Sequence, residues 1–152
     1  MKKVITLLTL TTILFTINLF SQSPIDAGVF KGAVANKKSY NALYILNQSE
    51  EKKIKAVLRN INNALDDPRL KGKIHIELVA FGDGVELFKK SNYYDTLLIA
   101  LQNRGVIMAQ CSNTIKERKI SKEELWPFIS YVPSGNGEII IRHYQGWATV
   151  HP

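Results

Sequence analysis

Short apolar runs, separated by polar stretches with helical spacing, dominate the chain from residue 40 onward. Such runs, when turn residues bound them, are typical of strands buried in a sheet. Five of them predict strands: Ala42–Leu46, Ile74–Phe81, Val106–Gln110, Ile129–Val132 and Trp147–Val150. Most are continuous rather than alternating, which favours a sheet that is covered on both faces.

The segments between these runs carry the signals of helices. Apolar residues from Ile54 to Leu65 recur at three- and four-residue steps, and Asp67-Pro68 ends that stripe. Further helices are predicted over Val85–Phe88, Tyr94–Asn103, Cys111–Arg118 and Glu138–Gln145, with Pro133–Gly137 as a turn. Strands that alternate with helices at this spacing indicate βαβ units, and therefore an α/β fold with a parallel sheet and helices on both faces.

The N-terminal segment has a different pattern. Lys2 and Lys3 precede an apolar run from Val4 to Phe20, and the small polar segment Ser21–Pro24 follows. This order is the layout of a secretory signal peptide, with cleavage expected between Ser21 and Gln22. An uncleaved anchor is the alternative, because the run is only slightly shorter than a membrane span of about 20 residues.

Export sets the predicted organisation and location of the chain. Residues 1–21 are predicted to be the signal peptide, 22–39 an N-terminal tether and 40–152 the folded domain. The protein is then expected to be periplasmic or secreted, without stable membrane insertion once the signal is cleaved. No later segment is long and apolar enough to suggest a membrane span.

The chain is basic, with a formal net charge of +7. The basic residues are scattered and do not interleave with aromatic residues as they do in proteins that bind single-stranded nucleic acid. We therefore expect a solvated basic surface and no nucleic-acid partner.

Four loops are expected at the carboxyl ends of the strands, where ligands bind in open parallel sheets. The candidate binding residues in these loops are Asn47, Gly82, Asp83, Gly84, Ser112, Asn113 and Ser134. Gly82-Asp83-Gly84 lacks the Lys-Ser/Thr of a phosphate-binding loop, so a tight turn that needs a positive φ is the favoured interpretation. Asp83 is a candidate cap for the helix that follows this turn.

Cys111 is the best candidate for chemistry. It is the only cysteine, so it forms no internal disulfide, and it lies between a predicted strand and a predicted helix. A helix start favours a thiolate, which is the nucleophilic form. No histidine is expected beside it to act as the base of a hydrolase, so sulfur exchange or persulfide carriage is favoured. The alternative is a packed cysteine with no chemical role.

No metal or cofactor is expected. No pair of histidines has the i, i+4 spacing of a helical zinc site, and a single cysteine cannot form a thiolate cage.

The sequence resembles the DsrE/DsrF-like family, which includes sulfur-relay proteins. The residues that carry the resemblance are Val79–Val85, Leu101 with Gly105-Val106, Cys111–Ile115, Val132–Gly135 and Gly146–Pro152. The resemblance implies a three-layer α/β/α domain with a mostly parallel five-stranded sheet that assembles as trimers or hexamers. It also implies that Cys111 carries sulfur as a persulfide, received from or passed to a partner protein.

Two hypotheses of function follow. In the first, the protein is exported and traffics sulfur, or acts in thiol redox chemistry, through a persulfide on Cys111. In the second, it is a non-catalytic oligomeric or small-ligand-binding module in which Cys111 is structural. The sequence leaves open whether the protein is an enzyme.

Overall fold

The computed structural model describes residues 28–152. The predicted signal peptide and the first part of the predicted tether lie outside the described residues. The chain divides into two units, Met1–Ala33 and Val34–Pro152, and the second holds every helix and strand of the described residues.

Five strands form one parallel sheet. They are β1 (Tyr40–Leu46), β2 (Ile74–Ala80), β3 (Ile107–Cys111), β4 (Ser130–Val132) and β5 (Ala148–Val150). The strand order is β4-β3-β2-β1-β5, and every neighbouring pair is parallel. The predicted α/β fold with five parallel strands is therefore confirmed.

Helices connect consecutive strands. The α-helices are α1 (Glu51–Asp66), α2 (Asp95–Asn103), α3 (Ser112–Glu117) and α4 (Gly135–Tyr144). Short 3-10 helices span Gly82–Phe88, Lys90–Asn92 and Lys122–Glu124.

The direction of each connection decides which face of the sheet its helix covers. The chain moves one strand at a time from β1 to β4, then returns across the whole sheet to β5. Parallel crossovers are almost always right-handed, so reversing the direction moves the connecting helix to the other face. The helices α1 and α2 therefore lie on one face and α4 lies on the other, which produces the three layers.

Alternating side chains of each strand divide the core into two parts. The larger part packs strand residues such as Leu78 and Met108 against α1 and α2. The smaller part consists of Leu43, Ile45, Val79 and Ala109, packed against Phe81, Val132, Ile139 and Trp147. Because each part removes apolar surface from water, the sheet is stabilised from both sides.

Helix α4 begins earlier than predicted. The segment Pro133–Gly137 was expected to be a turn, but the helix starts at Gly135, with Ser134 at its N-cap. The Ser134 hydroxyl accepts a hydrogen bond from the Gly137 N–H at 3.2 Å. The predicted turn is wrong because this N-cap compensates for the low helix propensity of two glycines.

The predictions for the segment after β2 are partly wrong. A 3-10 helix spans Gly82–Phe88, where a short helix was predicted only from Val85. Phe81 occupies its N-cap position, so Asp83 is not a cap; its carboxylate instead contacts the Arg118 guanidinium at 2.6 Å. Gly82 has a φ of +54°, as the tight-turn interpretation requires.

Gly84 lies directly against the end of β1. A Cβ atom at this position would lie 2.1 Å from the carbonyl oxygen of Leu46 and 2.7 Å from its carbonyl carbon. Both contacts are with backbone, which cannot move aside as a flexible side chain can. Gly84 therefore allows the 3-10 helix to pack on the end of β1.

Replacing Gly84 by alanine tests this contact. We expect Gly84→Ala to lower the free energy of unfolding by about 1–3 kcal/mol or more, because the added methyl group overpacks a backbone contact. Gly137→Ala is the control, since its Cβ would lie 3.4 Å from the nearest atom and alanine favours a helix. Chemical denaturation of both variants measures the difference; equal stabilities would contradict the proposed role of Gly84.

Candidate functional site

A crevice is expected where β3 and β4 end side by side. The chain leaves β3 through α3, whose Ile115 joins the larger core, and leaves β4 through α4, whose Ile139 joins the smaller core. Ligands bind in open α/β sheets where neighbouring connections diverge to opposite faces in this way. Cys111 is the last residue of β3 and pairs in register with Val132, the last residue of β4. The cysteine therefore lies at the position that the topology favours for a site.

A cavity of about 210 Å³ opens beside this cysteine. It is lined by Phe81, Gly82, Cys111, Asn113, Thr114, Glu117, Ser134, Gly135 and Asn136. Four of the predicted site residues are thus brought together: Gly82, Cys111, Asn113 and Ser134. The connections after β2, β3 and β4 all contribute to its walls.

The Cys111 side chain is only 5% exposed, but its surroundings are polar. Burial by itself raises the pKa of the thiol. Hydrogen-bond donors outweigh this effect and hold the pKa below its ordinary value: the backbone N–H groups of Thr114, Gly135 and Asn113, and the Thr114 hydroxyl. Donors from the starts of two different helices thus favour the thiolate over the thiol.

Thr114 links the sulfur to the loop after β2. Its side chain is buried, and its hydroxyl oxygen accepts a hydrogen bond from the Gly82 N–H at 3.0 Å. Because Gly82 donates to this oxygen, the hydroxyl hydrogen is free to point at the Cys111 sulfur. Thr114 therefore donates to the thiolate in an orientation that Gly82 fixes.

Gly135 brings the start of α4 close to the cysteine. A Cβ atom at this position would lie 2.8 Å from Cδ1 of Phe81, and 3.0 Å from its Cβ and Cγ atoms. With glycine there, the Phe81 ring packs on the backbone of the first turn of α4. This close approach places the Gly135 N–H beside the sulfur.

A buried ionic cluster holds α4 on the sheet. Glu77, in the middle of β2, is 1% exposed, and its Oε2 lies 2.6 Å from Nη2 of Arg142. The same guanidinium contacts Glu138, with Nε 2.8 Å from Oε1, and lies over the Trp147 ring at 4.2 Å from the centroid. Burial raises the pKa of Glu77 more than the positive charge of Arg142 lowers it. Gly135 is the only α4 residue in the buried class, and the Arg142–Glu77 contact joins this helix to β2.

The other predicted site residues lie outside the cavity lining. Asn47 is exposed, with its Oδ1 3.4 Å from Nε2 of His151. Asp83 is exposed and paired with Arg118, as described above, and Gly84 packs on β1. Ser112 is the half-buried first residue of α3. The loops after β2, β3 and β4 therefore line one cavity, whereas Asn47 in the loop after β1 does not.

Five residues that the sequence analysis missed line the cavity: Phe81, Thr114, Glu117, Gly135 and Asn136. Thr114 could have been found, because a residue three positions after the helix-capping position of Cys111 must lie in the first turn of α3. Gly135 had no such signal, since its distance from Cys111 depends on the pairing of β3 with β4.

A larger cavity, of about 670 Å³, lies between the start of α1 and the start of α2. Its lining includes neither cysteine nor histidine. The charges in its walls are largely satisfied locally, since Glu51 pairs with Lys55 and Glu86 pairs with Lys89. Size alone therefore does not make it the better candidate, because the single cysteine lines the smaller cavity.

Neither metal binding nor a membrane span is indicated by the described residues. Within residues 28–152, no three histidine, cysteine, aspartate or glutamate side chains cluster as a metal ion would require. No helix in this part of the chain is both long and apolar enough to cross a bilayer.

Comparisons with known proteins agree with this architecture. The model of the DsrE/DsrF-like family matches residues 33–152. The solved structure of protein MTH1491 from Methanobacterium thermoautotrophicum is similar to the chain, with a TM-score of 0.70 and 26% identity over 75% of this chain and 100% of that one. Protein BT1422 from Bacteroides thetaiotaomicron shares the fold, with a TM-score of 0.59 and 11% identity over 74% of this chain and 94% of that one. No curated protein matches the sequence.

Replacing Thr114 by valine tests the hydrogen bonds at the sulfur. We expect Thr114→Val to raise the pKa of the Cys111 thiol, because the valine keeps the shape of threonine but removes a donor to the thiolate. In mildly acidic solution, alkylation should slow by about fivefold, the factor that corresponds to about 1 kcal/mol for one hydrogen bond. The measurement is the rate of alkylation by iodoacetamide as a function of pH. Thr114→Ser keeps the hydroxyl and should preserve the wild-type profile; the same loss in both variants would contradict this role.

Proposed function

Since the chain belongs to the DsrE/DsrF-like family, we propose that it carries sulfur as a persulfide on Cys111. The family suggests sulfur relay in general terms. The single observation that supports the specific role is the set of donors around the sulfur, because these groups favour the thiolate without any neighbouring base.

The transfer needs only a thiolate and a donor that contains sulfane sulfur. The Cys111 thiolate attacks the outer sulfur of a hydropersulfide, R–S–SH, and a new S–S bond forms as the S–S bond of the donor breaks. The electron pair of that broken bond leaves with the inner sulfur, which takes the proton from the outer sulfur and departs as R–SH. Cys111 then holds a persulfide anion, and an acceptor thiolate removes the sulfur by the same exchange. The reaction is balanced and requires no oxidant.

The cavity suits this role better than hydrolysis. It extends from the sulfur between the starts of α3 and α4, and the amide donors that stabilise a thiolate can also stabilise a persulfide anion. None of its nine lining residues is a histidine, so acyl transfer would lack a base.

One observation favours a structural cysteine as the second candidate function. Cys111 is nearly fully buried, and a buried cysteine often behaves as a small apolar residue. In that case the protein would be a non-catalytic oligomeric or small-ligand-binding module, and replacement of the thiol would have no chemical consequence.

Intact mass spectrometry distinguishes the two candidates. After incubation with a hydropersulfide donor, the wild-type protein should gain about 32 Da, one sulfur atom, that dithiothreitol removes. Cys111→Ser should gain nothing while keeping the same assembly. No gain in the wild-type protein, under conditions in which iodoacetamide does alkylate Cys111, would favour the structural cysteine.

The same spectrum tests our proposal of export. The chain, expressed with its leader and recovered from the periplasm or the medium, should have a mass that begins at Gln22. A mass that retains residues 1–21 would instead favour an uncleaved anchor. This outcome is independent of the persulfide result.

We also propose that the protein forms a homo-oligomer through the outer face of α4. This face exposes Ile140 (57%), Ile141 (54%) and Tyr144 (87%), whereas the sheet side of the helix carries Glu138 and Arg142. Apolar side chains on the outer side of a helix are typical of a surface that another subunit covers.

A charge on this face tests the assembly. Ile140→Lys combined with Tyr144→Lys should shift the protein towards the monomer, because two charges would have to be buried in the contact. Size-exclusion chromatography with light scattering measures the mass. Ile99→Lys, an exposed isoleucine on α2, is the matched control. A monomeric wild-type protein, or an oligomer that survives the double substitution, would rule out this interface.

A further inference from the structure

The charge of the cavity beside Cys111 is opposite to the charge of the protein as a whole. The chain has a net charge of +7, but none of the nine lining residues is lysine, arginine or histidine. Glu117, the last residue of α3, is the only charged side chain among them. Arg118 follows it in sequence, but the Arg118 guanidinium is held by Asp83 at 2.6 Å.

A molecule that reacts in this cavity therefore meets two negative charges: the thiolate, which is the reacting form of Cys111, and the carboxylate of Glu117. The backbone amides nearest the sulfur already face the thiolate, so they are not free to bind a second anion. Small sulfur oxyanions such as thiosulfate carry two negative charges, and a site for them would need cationic side chains. The cavity offers none.

Building on the proposed function, we propose that the site accepts sulfur from small donors without negative charge beside the reacting sulfur, and that Glu117 determines this preference. The favoured class is neutral or cationic sulfane sulfur, such as the hydropersulfide of an aminothiol, whose ammonium group would face Glu117. In that case the exchange follows the same balanced step, with the aminothiol as the leaving group. Anionic donors such as thiosulfate are disfavoured.

Volume supports a small donor. The cavity is about 210 Å³, which is below the range of about 300–1,000 Å³ typical of sites for drug-sized ligands. With the Cys111 side chain only 5% exposed, the donor's sulfur must enter the cavity to meet the thiolate. A charge on the donor would then lie close to Glu117, which lines the cavity and is itself exposed to solvent.

Symmetrical disulfides of different charge test the preference, because the thiolate attacks them by the same exchange at sulfur. The probes are cystamine (cationic), bis(2-hydroxyethyl) disulfide (neutral) and 3,3′-dithiodipropionate (anionic), each applied to the mature protein. The rate of mixed-disulfide formation at Cys111 is followed by intact mass. The ratio of the cystamine rate to the dithiodipropionate rate cancels any change in the fraction of thiolate.

We expect the wild-type protein to react fastest with cystamine and slowest with dithiodipropionate. Glu117→Gln should lower the ratio of these rates by about fivefold, because removing one unit charge at roughly 8 Å in water changes each rate by about twofold, in opposite directions for the two probes. Glu50→Gln removes the same charge from an exposed residue outside the cavity and should leave the ratio unchanged. In the wild-type protein, about 0.5 M salt should also reduce the ratio.

The outcomes separate this inference from the proposed function. If all three probes react but Glu117→Gln leaves the ratio unchanged, the role of Glu117 is wrong and sulfur carriage stands. A wild-type preference for the anionic probe would also overturn the inference. If none of the probes reacts while iodoacetamide alkylates Cys111, the proposed sulfur exchange itself fails.

Discussion

Backbone amide groups from the starts of two helices meet at one sulfur atom, and the candidate site depends on this convergence. Asn113 and Thr114 lie in the first turn of α3, directly after Cys111, whereas Gly135 begins α4 after β4. A buried thiol with no donors would keep its proton, because burial disfavours the charged form. The donors of α3 and α4 belong to separate connections. They therefore meet at the sulfur only when β3 and β4 are paired and both helices are packed on the sheet.

Several contacts that are distant in sequence maintain this convergence. The Phe81 ring fits on Gly135, the Gly82 N–H orients Thr114, and Arg142 joins α4 to Glu77 in β2. A buried ionic contact is a weak source of stability, because both charges lose their water. Its directionality is the more useful property, since it fixes the position of α4 along the sheet and with it the position of the Gly135 amide. The fold thereby provides a preorganised environment for a sulfur anion without a catalytic base.

The charge of the whole protein is a poor guide to the charge of its site. Lysines and arginines are spread over the surface and give the chain its positive charge. The only charged residue that lines the cavity beside Cys111 is an acidic one, Glu117. Charges far from the cavity are screened within about 10 Å at ordinary ionic strength, whereas Glu117 belongs to the cavity lining and acts over a shorter distance. In our proposal, the choice of sulfur donor is therefore set by Glu117 and the thiolate rather than by the basic surface.

The sequence by itself determined the parallel α/β architecture and the position of Cys111 at the junction of a strand and a helix, because strand runs and helical stripes are local patterns that survive into the fold. It also identified Gly82, Asn113 and Ser134 at the correct edge of the sheet. Only the tertiary structure decided which loops share a cavity. The contribution of Gly135 depends on strand order and on the reversal of direction after β4. Local patterns carry no information about that order, because neighbours in a parallel sheet are set by packing between distant segments.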